Sequence, residues 1–201
     1  MPDERFWRQR FKELGPHSVG PGNTQDGTAL EEHRQYFVRG LSSLLPQLIG
    51  PVLDFGCGVG RWVVDLPRPY VGLDLLPEHI QYCKERFKET DQTEFRLSSE
   101  LGQLPVDSFG SVFSCTVIQH IVEPELRHQI LAQLYRVLAP NGIFLAVEWA
   151  EGQRNFDWCQ AVKYKDFKGM PAKSVGEVIE NGRKHTIWVV QKPIKRKLFV
   201  I

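Results

Sequence analysis

The stretch Val52-Leu53-Asp54-Phe55-Gly56-Cys57-Gly58-Val59-Gly60-Arg61 constrains the fold more than any other part of the chain. Apolar, strand-forming residues lead into an acid, and glycines then fall at every second position, 56, 58 and 60. A buried strand of this kind ends in a tight turn, where glycine supplies positive φ and the missing Cβ lets a ligand lie against the main chain. An ordinary strand-to-helix turn needs one glycine, whereas three beside an acid predict a loop shaped around a nucleotide-sized molecule. A strand near 51–55, the glycine turn and a brief helix over 60–66 therefore form the expected centre of an α/β sheet.

Residues 3–14 put Phe6, Trp7, Phe11 and Leu14 on one helical face, and the Gly-, Pro- and Asn-rich run 15–27 predicts a loop. Thr28 and Glu31 form a capping box, after which Leu30, Phe37, Leu41, Leu44, Leu45 and Leu48 recur at helical steps until Pro46 limits the helix. A second strand is expected at 70–75, although only nine residues separate Gly60 from Tyr70, a short crossover for parallel strands. A helix at 77–89, strands at 94–98 and 111–117, and a helix carrying Leu126, Ile130, Leu134, Val137 and Leu138 follow, then a strand at 143–148. Asn181-Gly182 supplies positive φ between 175–180 and 185–191, so the sheet should finish with an antiparallel hairpin.

Asp74 closes the second strand fourteen residues after Gly60, where an acid accepts hydrogen bonds from ribose hydroxyls of an adenosyl group. The dinucleotide fingerprint G-x-G-x-x-G would place its last glycine at 61, where this chain has Arg61. Asp54-Phe55-Gly56-Cys57-Gly58-Val59-Gly60 instead resembles the first motif of class I S-adenosylmethionine-dependent methyltransferases. Glu100-Leu101-Gly102-Gln103-Leu104-Pro105-Val106-Asp107-Ser108-Phe109 and Ser114-Cys115-Thr116-Val117-Ile118-Gln119-His120-Ile121 resemble two further segments of that family. The family more often has Asp at position 100, and an acid where this chain has Gly110.

The resemblance runs from about 52 to 191 and implies a Rossmann-like α/β fold. Its mostly parallel seven-stranded sheet would carry helices on both faces and a final antiparallel hairpin. It implies S-adenosyl-L-methionine as cofactor. Asp54, Gly56, Cys57, Gly58 and Gly60 would lie at the methionine part, Asp74 and Leu75 at the ribose, Glu100 and Leu101 at the adenine, and Thr116 beside the transferred methyl. His120 is the candidate catalytic base, with a structural role at a helix start as its alternative, and Gln119 and Glu148 are candidate polar contacts. The chain lacks the Asp/Asn-Pro-Pro-aromatic signature of exocyclic-amine DNA methylation and the Pro-Cys nucleophile of cytosine-C5 enzymes.

A length of 201 residues suits one methyltransferase-like domain over 1–201, with residues 1–48 as amino-terminal helices and a candidate lid, and 49–201 as the cofactor-binding core. A net charge of +1 gives no global attraction to nucleic acid, which is neither supported nor excluded as a partner. No apolar run reaches the ~18 residues of a membrane span and no leader pattern opens the chain, so the expectation is a cytoplasmic protein away from membranes. Cysteines at 57, 83, 115 and 159 form no C-x-x-C pair and the six histidines no H-x-x-x-H pair, so free thiols and no metal site are expected. Residues 151–173 are a candidate substrate wall or a helix covering the sheet. Lys192, Lys195, Arg196 and Lys197 read as a solvated edge in preference to a phosphate contact.

The expected function is methyl transfer to an acceptor, a small molecule because no separate target-recognition domain fits this length. A catalytically silent S-adenosylmethionine-binding partner subunit is the alternative. An NAD(P)-dependent oxidoreductase is a third reading, against which Arg61 and the Asn181-Gly182 hairpin argue. The acceptor, the atom methylated and the oligomeric state are not legible.

Overall fold

The computed structural model describes residues 4–20, 27–88 and 90–194, without the side chains of 27–30. The side chains of Thr28 and Leu30, and all of Lys195, Arg196 and Lys197, lie outside the described residues. Seven strands, β1 (Val52–Phe55), β2 (Tyr70–Asp74), β3 (Thr93–Leu97), β4 (Phe109–Cys115), β5 (Leu138–Trp149), β6 (Ala172–Glu180) and β7 (Arg183–Gln191), form one sheet in the order β3-β2-β1-β4-β5-β7-β6. β1 to β5 run parallel, whereas β7 is antiparallel to both β5 and β6. Helices α1 (Glu4–Leu14), α2 (Gly27–Gly40), α3 (Pro77–Phe87) and α4 (Pro124–Val137) complete the architecture.

Parallel strands are covered on both faces, so their residues are apolar throughout and alternate between two cores. Leu53 and Phe55 join Val112, Leu134 and Phe144 in one core, while Val52 joins Phe37, Trp62, Tyr70 and Phe113 in the other. The Asn181-Gly182 turn has φ of 48° and 77°, the two positive values that a tight hairpin requires. α2 packs on β6, where Gly40 leaves room for Val178; a Cβ there would stand 2.6 Å from Val178 Cγ2.

Four local expectations are corrected. Residues 60–66 form successive turns and no helix: Gly60, Val63 and Asp65 N–H donate three residues back, to Cys57, Gly60 and Trp62, and only Leu66 N–H spans four. The crossover is too short for a helix, because Pro67 and Pro69 begin the return while Trp62, Val63 and Leu66 are already buried. The 15–27 run is not an open loop throughout, since Gly15–Val19 is a 3-10 turn with Ser18 buried. Of the two readings of residues 151–173 the covering helix is the one corrected: they contain no α-helix and make a Phe156–Cys159 bridge and a 3-10 turn at Tyr164–Phe167. Buried Arg127 of α4 ties that segment down, donating from Nη1 to Ala161 O at 3.1 Å and Asp166 Oδ2 at 2.9 Å, and from Nε to Ile121 O at 2.7 Å. Lys192 is not a solvated edge residue: only 9% exposed, its ammonium donates to Asp107 Oδ1, Tyr135 O, Arg136 O and Leu138 O. It thereby satisfies the carbonyls at the end of α4 that the helix leaves unpaired.

Candidate active site

The carboxyl ends of β1, β2, β4 and β5 open into a cavity of about 660 Å³, where parallel α/β sheets place their ligands. That volume lies within the range of about 300–1,000 Å³ for small-molecule sites. Gly56, Gly58, Asp74, Leu75, Leu101, Thr116 and His120 line it. Gly56 has φ of 76° and passes so close to the segment after β4 that a Cβ would stand 2.3 Å from Val117 Cγ2.

Asp54, Cys57, Gly60 and Glu100 do not line the cavity. Asp54 is buried behind the loop and accepts a 2.7 Å bond from Tyr70 Oη, with its carboxyl pushed up to about 7 chiefly by burial. The main chain of Cys57 binds Leu73 O, and its thiol is buried against Gly58 O. Gly60 makes space for Phe87, whose ring would meet a Cβ at 2.3 Å. Glu100 turns back to accept from Leu97 N at 3.2 Å, capping the 3-10 turn Ser98–Gln103.

At the β2 end, Asp74 Oδ2 accepts from Gly58 N at 2.9 Å. Its Oδ1 accepts from Leu76 N at 3.0 Å and from His79 Nδ1 at 2.9 Å. A carboxylate offers about four lone-pair positions, so room for a further donor remains on Oδ2. His79 Nε2 lies 3.2 Å from Ser18 Oγ, so the two are hydrogen-bonded. The 3-10 turn after α1 is thus stitched to the glycine loop through Ser18, His79 and Asp74. Sequence reading missed Ser18 and His79, since the bond joins residues 61 apart and neither carries a motif.

At the β4 end, Thr116 has φ of 60°, strained for a β-branched residue, and its N–H donates to Val147 O at 2.8 Å. Glu148 fixes the turn that follows: fully buried, it accepts from Ser114 Oγ at 3.1 Å, Val117 N at 3.3 Å and Gln119 N at 3.1 Å. Burial pushes its carboxyl up to about 7. Gln119 in turn accepts from Trp149 N at 2.7 Å, so Glu148 and Gln119 shape the turn, and neither Asp54 nor Glu148 faces the cavity. His120 donates from Nδ1 to Trp158 O at 3.0 Å, stacks on the Trp158 ring at 5.6 Å and takes the edge of Trp7 at 5.1 Å. Burial lowers its pKa to about 4, so the ring is neutral above that. Trp7 of α1 and Trp158 of the 151–173 segment therefore both pack against one imidazole.

A second polar group lies on the β6–β7 side of the same cavity and carries no sequence motif. His33 of α2 and Glu180 of β6 share a 2.6 Å bond across 147 residues, and His185, Arg183, Arg61 and Trp149 line the cavity beside them. Glu180, Arg183 and His185 come from one hairpin and His33 from a helix before β1, so only the folded sheet brings them together. Among the described residues no group of His, Cys, Asp and Glu has the arrangement of a metal site, all four cysteines are free, and no helix is long and apolar enough to cross a membrane.

Residues 52–142 match the family described as "Methyltransferase domain". The uncharacterized methyltransferase YodH of Bacillus subtilis (strain 168) is 28% identical over 113 residues, 55% of this chain and 48% of YodH. The chain spans about half or less of the length of the curated relatives it matches. The N-methyltransferase NodS from Bradyrhizobium japonicum WM9, solved with S-adenosyl-L-homocysteine, superposes with a TM-score of 0.70 at 15% identity over 93% of this chain and 98% of that one. Magnesium protoporphyrin IX methyltransferase from Synechocystis PCC 6803, solved with S-adenosylmethionine, gives 0.66 at 15% identity over 96% and 98%. At such identity the likeness is one of fold.

Proposed function

We propose, from the premise that this chain belongs to the class I S-adenosylmethionine-dependent methyltransferase fold family, that it binds S-adenosylmethionine and directs its methyl group to a small-molecule acceptor. The carrying observation is that Gly56, Gly58, Asp74, Leu101 and Thr116, from the ends of four strands, line one cavity. The residues fit the cofactor. The side-chain-free backbone at Gly56 and Gly58 would hold its methionyl part, Asp74 Oδ2 a ribose hydroxyl, and Leu101 with Ser98 and Ser99 the adenine. Asp54, Cys57 and Gly60 shape the loop from behind, and Glu100 shapes the adenine turn by capping it.

When bound, the cofactor supplies a methyl group already made electrophilic by its sulfonium. The chain's own contribution is then orientation, which holds an acceptor in line at close range. Thr116 and the turn fixed by Glu148 set the position of His120, whose neutral ring is available to accept a proton or to direct a polar acceptor atom. Phe6, Trp7 and Arg10 line the same cavity, so α1 forms part of its wall.

Calorimetric titration with S-adenosylmethionine, S-adenosylhomocysteine, NAD and NADP tests this reading. Micromolar binding of the first two alone, lost in Asp74→Ala, is the expected result. Binding of NAD, or of nothing, refutes it, and binding without turnover of any acceptor would make the chain a silent partner subunit.

A further inference from the structure

The cluster on the β6–β7 side points to the acceptor. His33, Glu180 and His185 are 7%, 2% and 3% exposed. Glu180 accepts from His33 Nδ1 and stays ionised: burial pushes its carboxyl up, but the two neighbouring histidines outweigh that and hold it down to about 2. His185 Nε2 stands 3.8 Å from Glu180 Oε2, beyond hydrogen-bond length. Both ring nitrogens of His185, Trp149 Nε1 and Arg61 Nη1 are buried without a hydrogen-bond partner, and all three residues line the cavity. Trp149 and His185 are register partners across β5 and β7, with rings 5.6 Å apart.

Buried polar atoms in a native fold are normally paired, so several unpaired ones at one end of a cavity describe a ligand by its complement. The indole and guanidinium can only donate, whereas His185, with Nε2–H toward Glu180, offers Nδ1 as an acceptor. Two donors and an acceptor among the residues lining one cavity match a hydroxyl, whose oxygen accepts and whose proton is donated. Phe156 and Trp158, stacked 5.2 Å apart at 17° and 36% and 42% exposed, add a flat apolar wall to the same cavity.

We propose that the acceptor is a flat aromatic hydroxyl compound, a phenol, methylated on that oxygen, with His185 receiving the proton. This rests on the methyl-transfer reading of the same cavity. The phenol oxygen bonds to the methyl carbon while the carbon–sulfur bond breaks and leaves its electron pair on sulfur. The phenol proton passes to His185 Nδ1, and the Glu180 carboxylate, backed by His33, balances the imidazolium. Arg61 and Trp149 steady the charge that develops on oxygen, and Arg183 adds a second positive charge to the cavity wall.

The full chain, saturated with S-adenosylhomocysteine, is titrated with 2-naphthol, 2-methoxynaphthalene and 2-naphthylmethylammonium. The red-shifted absorbance of naphtholate reports ionisation of the bound hydroxyl. Naphthol should bind about tenfold or more tighter than the other two, the loss expected when a buried polar group goes unpaired, and should show the naphtholate band. His185→Gln should abolish the band. Trp149→Phe, which keeps the ring and removes the N–H, should weaken naphthol roughly three- to tenfold and tests the proposal should His185→Gln not fold. Equal binding of naphthol and its methyl ether, preference for the ammonium, no binding of any probe, or a band that survives His185→Gln would overturn it. Failure of S-adenosylhomocysteine to bind would instead sink the methyl-transfer reading, and the same titration without it would still decide the hydroxyl subsite.

Discussion

Glu148→Gln should change the pH dependence of stability as well as its level. The Glu148 carboxyl ionises near 7 in the fold against an ordinary 4.5, because burial outweighs the bonds from Ser114, Val117 and Gln119. Below pH 4.5 folded and unfolded chains both carry the proton, so the raised folded value stabilises the protein fully there. As pH rises through the window from 4.5 to 7 the unfolded chain releases its proton while the fold retains it, and that stabilisation is lost. The loss attributable to this group between pH 5 and 8 is about 2.5 kcal/mol. Glutamine cannot titrate, but its amide must turn a donor toward one of the three donors, most simply Gln119 N–H, a cost of about 1–3 kcal/mol at every pH. Urea unfolding at pH 5, 6, 7 and 8 should therefore show the variant clearly weaker at pH 5 and near or above the parent at pH 8. Parallel stability curves would mean that Glu148 is ionised in the fold across this range, and would refute the reasoning.

Gly56→Ala combines the strain of a positive φ with the collision on Val117 and should destabilise by about 2–5 kcal/mol, with Val117→Ala in the same chain recovering the steric part in a double-mutant cycle. Asp74→Asn removes a charged acceptor and turns an amide donor onto Gly58 N–H or His79, so affinity for S-adenosylhomocysteine should fall about 10- to 100-fold by calorimetry. The His120 ring should titrate near 4 by NMR, and a midpoint near 6.5 would show that the Trp7 and Trp158 walls do not exclude water from it. Arg127→Met breaks a buried ion pair and leaves Asp166 without its cation, which should cost about 3–5 kcal/mol and raise the solvent exposure of Trp158 in fluorescence quenching.

Alternation and turn chemistry made much of the sheet legible: the β1 run, the strand ending at Asp74 and the Asn181-Gly182 hairpin are local patterns whose cause lies within a few residues. The 60–66 segment was misread because Trp62, Val63 and Leu66 carry an amphipathic spacing, while the crossover length imposed by Pro67 and Pro69 allows only turns. Lys192 was misread because a terminal lysine beside other basic residues reads as solvated, and only the end of α4 supplies the carbonyls that bury it. In the site, motif spacing located Gly56, Gly58, Asp74, Leu101 and Thr116 at one cavity. The same segments included Asp54 and Glu100, whose side chains turn away to Tyr70 and to the Leu97 main chain.

The sequence by itself determined the strands, their two-faced burial and the glycine turn, since period, φ requirement and side-chain volume act over a few neighbouring positions. Only the tertiary structure decided that Ser18 reaches His79, that Trp7 and Trp158 pack against His120, and that His33, Glu180 and His185 share one buried end of the cavity. Those contacts span up to 147 residues, and the chain brings them together only when strands from distant segments align in one sheet and the helices settle against it.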